Sequence, residues 1–209
     1  MTTVVRRGIA ACVAALVLAG CSGLGGAGAA ATVGGVEIST EFLADQTSAV
    51  QEQSGVAPGT PDTELTLGVL QRLIITELVG QSAAELGVTV TQGEIDTARA
   101  ALEAQVGGPE ALVTAYLDAL VPAQSIDRQI ELTVQVQKIG QKLAPDADPA
   151  SQQQAVQQHV TGLAVLDGVS VSPRFGTWDI GSFSIGPVPS DLSTPLVAED
   201  PLAGILPAP

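Results

Sequence analysis

The sequence predicts a mainly α domain of five or six helices with two short strands. Three observations predict it. Apolar residues recur at helical spacing through most of the middle of the chain. Start signals and stop signals bracket those stretches. Only two short stretches, one near each end, alternate apolar and polar residues with the period of two that strands require.

In chain order, residues 32–38 alternate through Val33, Val36 and Ile38 around Gly34-Gly35 and read as a short strand or turn-strand. Ser39 is a candidate N-cap for a helix over residues 40–53. Two Gly and two Pro in residues 54–62 end that helix. The strongest helical pattern covers residues 63–86, with Leu67, Leu70, Ile74 and Leu78 on one face and Leu73 and Ile75 widening the stripe. Gly87 suits the left-handed residue that closes it. Thr91 and Glu94 have the spacing of a capping box. They open a helix to about Val106 with Ile95, Ala98, Leu102 and Val106 inward. Gly107-Gly108 stops it. Pro109 opens a shorter helix carrying Leu112, Tyr116 and Leu120, which Pro122 closes. Ser125 is a candidate cap for a long helix to about Leu143, with Ile126, Ile130 and Val134 beside Leu132, Val136, Ile139 and Leu143. Asp148-Pro149 then starts a Gln-rich helix to about Leu163, with Val156, Val160 and Leu163 inward. Residues 169–172 form the second alternating stretch, expected to lie near the first. The six prolines of residues 187–209 and their lack of period predict a disordered tail.

The first twenty residues form a separate unit. Arg6 and Arg7 precede an uncharged apolar run over residues 8–18, too short to span a bilayer and of the length of a signal-peptide core. Leu18-Ala19-Gly20-Cys21 follows and is similar to the lipobox of bacterial lipoproteins. Small residues fit a protease site at the membrane face, and the Cys21 thiol can take a lipid thioether. The expectation is cleavage after residue 20, lipid attachment at Cys21 and a lipid-anchored position on the outer face of the cell membrane. Residues 21–31, almost all Gly and Ala, read as a flexible tether. A single domain over residues 32–186 follows.

Composition narrows the function classes. Of 8 bases and 22 acids, Arg6 and Arg7 leave with the leader, so the mature balance is −16. That opposes a nucleic-acid partner, which needs clustered Lys and Arg. Cys12 leaves with the leader and Cys21 is acylated, so the mature chain has no pair for a disulfide. His159 is the only histidine and is expected at the surface; with no second His and no free Cys, no metal set is expected. No phosphate loop or nucleophile elbow occurs, so neither a cofactor nor a catalytic residue is expected.

The order of motifs resembles a known family. Residues 33–42, with Ser39-Thr40-Glu41-Phe42, resemble the opening segment of the SurA/PrsA foldases, where a strand leads through a Ser/Thr cap into a helix with a buried Phe. Val88-Thr89-Val90-Thr91, followed by Glu94-Ile95, is similar to that family's link between its second and third helices. Residues 171–179 are similar to the ending of actinobacterial lipoproteins with a SurA-like N-terminal domain. The resemblance spans residues 32–179. It implies a SurA N-terminal-like helical domain of chaperone type that binds unfolded or newly exported polypeptides. SurA and PrsA also carry parvulin-type prolyl isomerase domains, each on the order of 90 residues. Only residues 144–147 separate the last two predicted helices here, and parvulin chemistry relies on paired histidines. The resemblance therefore implies a chaperone without isomerase activity; an envelope scaffold docking one folded partner is the competing expectation. Among the five aromatics, Phe175, Trp178 and Phe183 cluster after the second strand. They either close the core or line a groove that touches a client's apolar side chains. Arg174 beside them either pairs with a helix carboxylate or is solvated.

Overall fold

The computed structural model describes residues 28–188. Six helices dominate: α1 Thr40–Gln53, α2 Thr63–Glu85, α3 Gln92–Val106, α4 Pro109–Asp118, α5 Ile126–Leu143 and α6 Pro149–Asp167. Five short strands accompany them: β1 Ala29–Val33, β2 Val36–Ser39, β3 Val169–Val171, β4 Thr177–Asp179 and β5 Ser184–Gly186. The mainly α expectation holds. The tail beyond residue 188, the leader and Cys21 lie outside the described residues.

The alternating stretch at residues 32–38 is two strands. Gly34 and Gly35, both at positive φ, make the two-residue turn of a hairpin, a turn that needs two such residues. β1 is the middle strand, paired antiparallel to β2 on one side and to β3 on the other, with Val33 opposite Val169. The two ends of the helical region therefore meet in one sheet, as the two alternating stretches predicted. One boundary is corrected. The tether of residues 21–31 does not reach residue 31, because Ala29, Ala30 and Ala31 belong to β1, with Ala30 and Ala31 sealed in the core. Alanine is a poor strand former, but its small side chain lets the strand lie close on α2. Gln81 of α2 fixes that contact, its Nε2 donating to the Val33 carbonyl at 2.9 Å.

Capping follows the sequence closely. The Ser39 hydroxyl accepts the Phe42 N–H at 3.0 Å and Asp62 accepts the Leu65 N–H at 2.9 Å. The Thr91/Glu94 capping box is complete. Asp148 accepts the N–H groups of Ala150 and Ser151. Ser125 is the exception. A 3-10 turn over Ala123–Ser125 leads into α5, and the Ser125 hydroxyl donates to Gln46 instead of capping. Only residues 144–148 join α5 to α6, so no inserted domain separates them. α6 also runs one turn beyond the expected Leu163.

Two clusters form the core. The larger centres on α2, whose Val69, Leu70, Ile74 and Leu78 meet Ile139 of α5, Val156 and Val160 of α6, Leu43 of α1 and the β1 alanines. The smaller joins Ile95 of α3 and Leu112 of α4 to Val121, Ile126 and Ile130. Two expectations fail at single residues. Phe42, the aromatic expected to be buried, is 47% exposed, and Leu43 takes the inward direction. Val106, at the last turn of α3, is exposed, because that turn runs past the packing surface of α4 and α5.

Candidate functional site

The segment after β3 folds back over the larger core. Phe175 ends a turn in which its N–H donates to the Ser172 carbonyl at 2.8 Å. Gly176 follows at φ +118°, and a Cβ there would overlap the Gly186 carbonyl oxygen, so the position requires glycine. The chain then forms the β4–β5 hairpin, pairing Trp178 with Ile185. Asp179 shapes its turn by accepting the Gly181 N–H at 2.8 Å, and this contact, together with Ser182, holds its carboxyl below the usual range.

The three aromatics expected to act together divide into two roles. Trp178 and Phe183 pack edge to face, 6.2 Å between centroids and 82° between planes, and both lie half-buried against the larger core. Phe183 holds φ +51°, uncommon for an aromatic, to bring its ring to Trp178. Phe175, also against the core, forms a wall of an open cleft. Arg174 is exposed, as the solvated alternative expected, and pairs with no carboxylate among the described residues; its guanidinium lies 4.6 Å over the Phe175 ring.

That cleft, about 380 Å³, lies between α1, the connection to α2 and the Arg174–Phe175 pair. A second, about 340 Å³, continues on the other side of Phe175 to Leu67, Pro187 and Val188. A third, about 480 Å³, extends past Val50, Val56 and Leu65 toward Leu117 and Leu120. Pro61 and Asp62 line all three, so the α1–α2 connection is the ridge around which the groove turns. Gln51 holds this ridge. Its buried amide donates to the Thr60 carbonyl at 2.6 Å, and its Oε1 accepts the Gly59 N–H at 2.8 Å. Sequence reasoning read the connection only as a helix break and missed Gln51. The available signal was spacing, since Leu43, Thr47 and Gln51 fall one turn apart on the buried face of α1.

The groove presents apolar walls, hydroxyls and backbone amides, with Arg174 and Asp62 the charges shared by its first two parts. Such a surface can hold apolar side chains and hydrogen-bond an extended backbone. Elsewhere, His159 is half-buried, with Nε2 3.6 Å from Glu85. Glu94 caps α3 and binds Lys138 at 2.6 Å; that hydrogen bond, with those from Thr91, lowers its pKa to about 2. Among the described residues no three potential ligands gather for a metal, and no helix is long and apolar enough to cross a membrane.

Comparison with known proteins gives one match. The family described as SurA-like N-terminal domain matches residues 2–105, a stretch that takes in β1, β2, α1, α2 and almost all of α3. No curated protein and no solved structure shows significant similarity. The SurA N-terminal domain is a chaperone-type, non-catalytic domain. Over residues 2–105 the chain belongs to the SurA-like N-terminal domain family.

Proposed function

We propose that this protein is a lipid-anchored chaperone of the extracytoplasmic face of the cell membrane, which holds unfolded or newly exported polypeptides without isomerising their prolines. The groove around Pro61 and Asp62, walled by Phe175, carries this reading. It is open, largely apolar and lined by few charges, which suits many sequences better than one. A client's apolar side chains settle against Phe175, Leu67 and Leu65, and reversible burial of that surface holds it. Negative charge over the remaining surface keeps a loaded holder soluble. The anchor rests on the Leu18–Cys21 motif and its position after the apolar run.

The chain from residue 22 onward should slow aggregation of chemically unfolded proteins at near-equimolar ratio, without nucleotide or metal. It should leave prolyl isomerisation at its uncatalysed tens to hundreds of seconds. Phe175→Ser should lower the melting temperature modestly, through its partial packing on the larger core, and weaken holding at temperatures where far-UV circular dichroism shows the variant fully folded. Failure to hold any of several clients, together with capture of a single tight partner after crosslinking in the envelope, would replace the chaperone by a scaffold. For the anchor, Cys21→Ala should abolish incorporation of labelled palmitate; a mutant that still takes up the label would refute the lipid site.

A further inference from the structure

The last described residues lie in the groove. Gly186 is fixed in the β4–β5 ladder opposite Thr177, and Pro187 and Val188 follow it into the second cleft, which they line together with Phe175 and Leu67. Val188 is 52% exposed there, an apolar side chain on an apolar wall that it only partly covers. Residues 189–209 are thus rooted at a surface whose removal from water is favourable.

Those residues repeat the chemistry of the step that already lies there. Pro187-Val188 is followed by Pro195-Leu196 and Pro201-Leu202, and Leu192, Ile205 and Leu206 add further apolar side chains. Proline fixes φ and lacks an amide donor, so such a segment can enter a groove extended, with little ordering cost. Charge agrees. Asp191, Glu199 and Asp200 are the only charged residues in 189–209, and all are acidic. Arg174 is the one cation lining the first two clefts, and no carboxylate among the described residues pairs with it. Length suffices as well. Thr40 to Gln51, the α1 side of the first cleft, is about 17 Å of helix. Val188 to Leu196 spans about 25 Å as a polyproline helix.

We propose that residues 189–209 are the resident occupant of the groove, an extended Pro- and Leu-containing segment that crosses Phe175 from the second cleft into the first and that clients must displace. The proposal rests on the polypeptide-binding reading above and adds to it a competitor built into the chain. Attachment at the groove gives the tail an effective concentration on the order of millimolar, so an affinity of about 0.1 mM for the free segment masks the groove about tenfold. An occupant this weak covers apolar surface between clients and yields to a segment that binds more tightly.

The test uses the chain from residue 22 onward, which contains no cysteine. Ala198→Cys then carries a single benzophenone photoprobe next to Leu196 and Val197. Irradiation of dilute protein should give crosslinks within one chain to residues of the first two clefts, such as Thr47, Thr66 and Leu67. Binding of a dye-labelled, permanently unfolded client segment supplies the second readout. Replacing three tail residues together, Leu192→Ser, Leu196→Ser and Leu202→Ser, should tighten that binding about tenfold and leave the far-UV circular dichroism spectrum unchanged. Absent or scattered crosslinks would overturn the resident tail, and so would measurable client binding of equal strength in the parent and the triple variant. Groove crosslinks found only in products of twice the mass would also overturn it and assign the groove to the tail of a second copy. Client binding without groove crosslinks would remove the tail alone. Groove crosslinks in a chain that binds no client, with or without the three substitutions, would remove the chaperone reading and leave the tail as the closure of the groove.

Discussion

Replacing Gly176 by alanine tests the closing hairpin at its tightest point. The residue sits at φ +118°, a region that residues other than glycine occupy at about 1–3 kcal/mol. The added methyl also overlaps the Gly186 carbonyl oxygen, which belongs to the backbone and cannot rotate away as a side chain would. Gly186 is paired with Thr177, so relief requires the β4–β5 ladder to open. Strain and overpacking together predict a loss of about 2–5 kcal/mol, the upper end being limited by what the hairpin itself contributes to stability. Trp178, the chain's only tryptophan, lies in β4 and reports the event directly. Urea unfolding of Gly176→Ala, followed by tryptophan emission and by far-UV circular dichroism, should show a lower midpoint and a red-shifted native emission. Because α2, α5 and α6 do not depend on the hairpin for their own contacts, the helical signal of the native state should persist. An unchanged emission maximum with a loss below about 0.5 kcal/mol, the level of an ordinary surface substitution, would refute the packing described for this segment.

Three other substitutions probe the rest of the fold. Ile139→Ala, at a fully buried position between α2 and α6, should cost about 2–5 kcal/mol in chemical denaturation through the cavity it leaves. Gln51→Ala removes both hydrogen bonds that brace the α1–α2 connection; it should cost about 1–3 kcal/mol and speed amide exchange at Gly59, whose N–H loses its acceptor. Glu94 titrates at about 2 in the fold against an ordinary 4.5, so its contribution is complete above the ordinary value and lost as pH falls from there through about 2. Melting temperatures across that window should fall less steeply in Lys138→Met, which removes the largest cause of the shift; identical slopes would show that the pair is not coupled to folding.

Most of the helices were legible because they carry their own punctuation; α5 is the exception, since Ser125 does not cap it. Ser39, Asp62, Thr91 and Asp148 cap through local hydrogen bonds that depend on few distant residues. What remained hidden depends on tertiary contact. Ala29–Ala31 looks like spacer because three alanines carry no strand signal, and only the closeness of α2 makes their small size an advantage. Phe42 and Leu43 are adjacent, so which one turns inward depends on the rotation of α1 against α2, and Leu43 with Thr47 and Val50 sets that rotation. The β4–β5 hairpin is two strands of three residues each, too short for a period to register. Of the candidate client-contact residues, Phe175 alone lines the groove, because Trp178 and Phe183 satisfy each other.

The middle position of β1 has a consequence for when the domain can assemble. Its hairpin with β2 closes over a few residues, yet its other edge waits for β3, more than a hundred residues later. During synthesis the N-terminal strand emerges early and stays half-paired until nearly the whole domain has followed. Closing that long loop is a late, entropically costly step that only packing of α5 and α6 onto α2 can offset. A fragment cut at residue 105, where the family match stops, would retain β1 and α2 but lack β3, α5 and α6. It would expose a bare strand edge and an apolar helix face, the features that drive edge-to-edge association. The stretch recognised by kinship is thus shorter than the stretch that folds, and until β3 arrives the chain carries an open strand edge.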